Sequence, residues 1–177
     1  CSKEDHELES SSQLQEYLID NGIDIINMDS YKIVDTFSLA VLYTANIGTD
    51  KNESIAYSIT EELIKDFTYI ETVRLSSFND IAQFNKSELH HSDIGRKLQV
   101  DNIISGSILT DGESIKLNFQ LLNINSGKVL WSDSWTDLIV NSKNIRKHII
   151  NGALQSFNIE IPNELADSLS EEMSTNA

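Results

Sequence analysis

The residues of this 177-residue chain whose types could do chemistry gather in a few places. Glu88, His90, His91 and Asp93 offer the nitrogen and oxygen ligands that a divalent metal takes. On a helix, however, adjacent histidines point about 100° apart. His90 and His91 therefore do not both face one ion, and they read as partly exposed helix residues. Paired carboxylates could share acid–base work, yet Glu61 with Glu62 and Glu171 with Glu172 are sequence neighbours on expected helices and read as solvated faces. Gly95, Gly106 and Gly112 fall in an expected helix, strand and turn, too scattered for a P-loop or a dinucleotide fingerprint. Gly106, between Ser105 and Ser107, suggests a bulge or close packing against a helix. No nucleophile stands with its base. The sequence therefore assigns no catalytic, cofactor-binding or metal residue, and the chain reads as non-enzymatic.

Two other features point to attachment and contact. The single cysteine is Cys1, which excludes an intramolecular disulfide and a Cys-x-x-Cys knuckle. Ser2 to Asp5 and the Ser10–Ser12 cluster follow it like the polar tether between a lipidated cysteine and a folded body. Cys1 is thus a lipidation candidate, the alternative being an excised piece of a longer polypeptide. Trp131 and Trp135 lie four positions apart on one expected strand with Asp133 between them, which puts both rings on one side of the sheet. They read first as packing residues, and as candidate partner-binding anchors if one ring is exposed at the sheet edge.

Charge narrows the partners. The chain carries 13 basic and 28 acidic residues, a formal net charge of −15, which repels phosphate backbones and anionic lipid. Nucleic acid is excluded as a natural partner, and membrane contact is expected only through Cys1. The acid-rich ends, 1–36 and 161–177, read as a tether with a short helix and a tail flanking a folded unit at 37–160.

The elements that must position these residues follow from apolar spacing. Leu14, Tyr17, Leu18 and Ile19 suit a short helix stopped at Asn21-Gly22, and Ile23–Ile33 reads as a linker or edge strand. Ser38–Tyr43 is an apolar run of strand length. Ile55, Ile59, Leu63 and Phe67 make a helix face with Ser54 as its cap, leaving Glu61, Glu62, Lys65 and Asp66 elsewhere. Tyr69–Leu75 reads as a second strand, Phe78–Phe84 as a short helical piece, and Leu89, Ile94 and Leu98 as a helix. Ile103–Thr110, a turn at Asp111-Gly112, the alternating Ile115–Leu121, a turn at Asn125–Gly127 and Val129–Trp135 predict a three-stranded antiparallel meander. Ile145, Ile149, Ala153, Leu154 and Phe157 close the domain with a helix, Pro162 marks its exit, and the acidic tail either begins another helix at Asn163 or frays. The expected fold is α/β in the α+β sense, a two-layer domain of helices on a mixed sheet.

Several motifs run in the order and spacing of a known family. They are Ser38-Leu39-Ala40-Val41-Leu42, Ile59–Ile64, Val73–Phe78, Asp93–Asp101 with Ile104–Ile108, Gln120-Leu121-Leu122, and Ser126–Trp131. Residues 37–160 thereby resemble the TolB N-terminal-like domain found beside adenylate cyclase, DNA-binding and TPR modules, and are more distantly similar to the envelope proteins FlgO and CsgG. Tyr43-Thr44 departs from the family's Pro-Phe, so a differently shaped loop is expected there. The resemblance implies a scaffolding or sensing role among other protein modules, on the periplasmic side of a bacterial envelope, or in the cytoplasm if cyclase-linked. It supplies no catalytic residue. The rival expectation is a small-ligand sensor with a cleft between the meander and the first two helices.

Overall fold

The computed structural model of the protein describes residues 36–170, and internal contacts separate residues 1–35 from 36–177 as two units. Cys1, the helix expected at Leu14–Ile19, the segment Ile23–Ile33 and the pair Glu171–Glu172 lie outside the described residues.

The apolar run from Phe37 forms β1 (Phe37–Val41), which lies parallel between β3 (Val73–Leu75) and β4 (Asn102–Asp111). The strand breaks at Leu42–Thr44 and resumes as β2 (Ala45–Asn46) along the same side of β4. The break falls at the residues that depart from the family motif. It is held by Thr60, whose hydroxyl accepts from the Thr44 N–H at 2.9 Å. β5 (Ser114–Asn123) and β6 (Val129–Leu138) then complete the expected antiparallel meander, giving the order β3-β1-β4-β5-β6. The two residues of the β4–β5 turn are Gly112 and Glu113, one step later than the expected Asp111-Gly112, because Asp111 pairs with Ser114. Gly112 alone there has positive φ, +60°, as a type II′ turn requires.

Between the strands run α1 (Glu53–Phe67), the short α2 (Phe78–Ala82) and α3 (His91–Leu98), followed after the meander by α4 (Ser142–Ser156) and α5 (Asn163–Ser170). Ile59, Leu63 and Phe67 of α1 and Ile145, Ile149 and Ala153 of α4 are buried in one core with Val41, Ile104, Ile108, Leu117 and Leu121 of the sheet. The two-layer mixed-sheet class read from the sequence is the observed one. α2 and α3 add partial cover over one end of the opposite sheet face, where a Cβ on Gly95 would stand 2.7 Å from Ile124.

Local expectations needed correction where tertiary contacts prevailed. Ser54 lies inside α1, whose N-cap is Asn52, so it is not the cap. Tyr69–Leu75 is strand only from Val73, because the N–H groups of Tyr69, Ile70 and Val73 turn back to Asp66, Phe67 and Ile70. Asp66, outside the apolar stripe of α1, is nonetheless only 5% exposed: it receives Arg146 Nε at 2.7 Å, while Arg146 Nη1 reaches Glu62 at 2.7 Å. Gly106 is no bulge, and the side chain packed against it is a strand residue's. It pairs in register with Phe119, whose ring fills the space a Cβ would need. Of the two alternatives for the tail, a helix from Asn163 or fraying, the helix is observed as α5, and its Leu165 and Leu169 are buried in the core.

Candidate functional site

β6 is the outer strand of the meander, and it presents three surfaces: a face toward α4, a backbone edge, and a face open to solvent.

Toward α4, alternation brings Trp131, Asp133 and Trp135 to one side, as their spacing predicts. Trp131 lies against Gly152 of α4, where any Cβ would fall inside its indole ring. The Trp135 ring is 4.2 Å from the His148 ring and 6.1 Å from that of Phe119. His148 Nε2 meets Asp133 Oδ2 at 2.6 Å. That bond, with the Ser134 N–H on the other carboxylate oxygen, holds Asp133 below the usual carboxylate range. Both indoles are half-buried, so each combines helix packing with a remaining exposed edge. Sequence reasoning found this trio but not His148, whose part depends on a helix returning from ten residues beyond the strand.

At the edge, every second residue of an outer strand turns its N–H and C=O away from its neighbour. On β6 the N–H of Ser134 is taken by Asp133 Oδ1 at 2.8 Å, and that of Leu138 by Asp137 Oδ1 at 2.7 Å. Ser156 of α4 donates to the Leu130 carbonyl at 3.4 Å. Two outward N–H groups, Ser134 in the middle and Leu138 at the end of the strand, are therefore taken by its own carboxylates, a device that opposes strand addition at those points. Apolar side chains are exposed toward its ends: Val129 and Leu130 at one, Leu138 and Val140 at the other. Val140 is 77% exposed; Leu109, also exposed, lies two strands away across the row Leu109–Lys116–Thr136.

On the open face a cleft of about 770 Å³ lies between the meander and the segment joining α2 to α3. Its floor is two cross-strand rows, Ser105–Gln120–Ser132 and Ser107–Asn118–Ser134. Its walls include Tyr43, Phe84, Leu89 and His91. The helix expected at Leu89–Leu98 thus supplies one wall, while α1 contributes no lining residue. Burial, with His90 beside it, lowers the pKa of His91 and favours the neutral ring. His90 and His91 join no metal-ligating group, since none of three or more such residues occurs among the described residues.

No family model matches the chain, and no curated protein is similar to it in sequence. Solved structures do match. TolB from Acinetobacter baumannii matches with a TM-score of 0.50 at 12% identity, over 69% of this chain and 28% of that one. Lipoprotein GNA1162 from Neisseria meningitidis gives 0.46 at 13% identity, over 57% of this chain and 79% of that one. The LpoB C-terminal domain from Salmonella enterica gives 0.46 at 17%, over 64% and 92%. This chain shares a fold with part of TolB. At that identity no site residue transfers from it.

Proposed function

We propose that this chain is a non-catalytic protein-binding domain of the bacterial cell envelope, held on the periplasmic side through Cys1. One observation carries the reading: Leu138 and Val140 are exposed at the end of an edge strand two of whose outward N–H groups are taken by its own carboxylates. Exposed apolar groups of this kind mark contact surfaces, and the plugs favour docking by side chains over strand addition. Trp131 and Trp135 belong to the same strand, and their exposed ring edges would extend the contact along it.

A binding rather than catalytic role is supported by the chemistry of the cleft floor, which is hydroxyls and carboxamides without a carboxylate or thiol of its own. Envelope placement is supported by the polar, acidic run after Cys1 and by the resemblance to envelope proteins. None of the described helices is long and apolar enough to cross a membrane. The test is paired purification from the native host. Proteins retained by the wild-type chain should be lost with Leu138→Asp/Val140→Asp and kept with Glu61→Ala, and Cys1→Ser should release the chain from membranes. Equal retention by both surface variants would overturn the docking reading.

A further inference from the structure

The open sheet face carries a second assignment, separate from the β6 contact. We infer that the cleft above the Ser105–Gln120–Ser132 and Ser107–Asn118–Ser134 rows binds a neutral saccharide. The floor spans three strands and two rows, about 10 Å by about 7 Å from the ordinary spacings of a sheet, beneath a space of about 770 Å³.

The chemistry of the lining selects the ligand. Hydroxyls and carboxamides both donate and accept. Within the floor, Gln120 Nε2 donates to Ser105 Oγ at 3.3 Å and the Ser134 hydroxyl donates to Asn118 Oδ1. These bonds orient the two amides and leave the Asn118 N–H groups, the Gln120 carbonyl and the Ser107 and Ser132 hydroxyls to face a ligand. Such mixed donors and acceptors match sugar hydroxyls, which are themselves both. An apolar ligand would strip water from these groups without replacing their bonds, which is costly.

Charge excludes the ionic alternatives. Among the described residues, the only acid at the cleft is Asp133, and its side chain belongs to the opposite face, bonded to His148. A cationic ligand therefore meets no free carboxylate. An anionic one meets a single cation, Lys86 at the rim, within a chain of net charge −15. The walls are a second, independent feature. Tyr43 and Phe84 stand beside the polar floor, and Tyr43 continues outward through Tyr57 to Phe78, at 6.2 and 5.2 Å between ring centres. Rings flanking a few convergent polar groups are the general form of a small-molecule site, and they suit the C–H faces of a pyranose.

The test is an NMR titration of the ¹⁵N-labelled full chain with cellotriose, maltotriose and triacetylchitotriose, using trigalacturonate and trialanine as the anionic and peptide comparisons. At least one neutral trisaccharide should give saturable shifts centred on the Asn118 and Gln120 side-chain amides. Asn118→Ala/Gln120→Ala should weaken that binding by about tenfold or more, as loss of two hydrogen-bonding groups implies. Ser132→Ala, a smaller change at the floor, should weaken it less, with melting temperature showing that each variant is folded. The inference is overturned if all three neutral sugars leave the floor unshifted, if their shifts centre elsewhere, if trialanine or trigalacturonate binds the floor more tightly, or if folded variants bind as the wild type does. None of these outcomes bears on the β6 contact.

Discussion

Gly152→Ala isolates the contact that fixes β6 to α4. In an unobstructed helix the change is favourable by about 1 kcal/mol, since glycine loses more backbone freedom on folding than alanine. Here the new Cβ would enter the Trp131 indole, and overpacking of that kind costs typically ~1–3 kcal/mol. The net expectation is destabilisation of roughly 1 kcal/mol, a fall in melting temperature of about 3–6 °C for a domain of this size. Removing the ring should reverse the sign, so that in a Trp131→Ala background Gly152→Ala stabilises by about 1 kcal/mol. The four proteins form a double-mutant cycle, read by urea unfolding with far-UV circular dichroism, which does not depend on the tryptophan. The coupling should be ~1–3 kcal/mol. A coupling below about 0.5 kcal/mol, with Gly152→Ala stabilising in both backgrounds, would refute the seating of Trp131 on Gly152.

Other consequences are equally direct. Arg146→Ala strands Asp66 without its buried partner and should cost ~3–5 kcal/mol at neutral pH by chemical denaturation. Burial already raises the Asp66 pKa despite Arg146, so its ionisation opposes folding as pH rises, and the loss in Arg146→Ala should shrink as pH falls and the carboxyl protonates. Asp133 has the opposite sign: its folded pKa is depressed, first by His148, so its contribution exists above the unfolded value and fades as pH falls through the folded one. Carboxyl-carbon NMR should find Asp133 titrating below the usual range and moving upward in His148→Ala; an unchanged midpoint would contradict the pairing. Asp133→Ala/Asp137→Ala unplugs two outward N–H groups of β6 and should produce self-association in size-exclusion chromatography at concentrations where the wild type shows none.

What the sequence made legible was periodic. The alternation of Ile115, Leu117, Phe119 and Leu121 located the meander because one buried face imposes a period of two. The four-residue spacing in α1 located that helix for the corresponding reason. The burial of Asp66 was not legible because it is made possible by Arg146, eighty residues away, and no local pattern announces that partner. The β4–β5 turn slipped one residue because strand register, not the Asp-Gly dipeptide, fixes which two residues lie outside the ladder. The two tryptophans and Asp133 were brought together as their spacing implied. The polar rows of the cleft were half visible: Asn118 and Gln120 fall between the apolar residues of one alternating strand, but their alignment with serines on both neighbours depends on register.

The central claim is that a protein partner docks beside β6, and site-specific photo-crosslinking in the native host addresses it most directly. A photoreactive residue replacing Val140, and another replacing Leu138, should each capture the same discrete protein, while one replacing Glu61 on α1 should not. Capture at Glu61 alone, or none at the two β6 positions in folded, membrane-attached protein, would contradict the account.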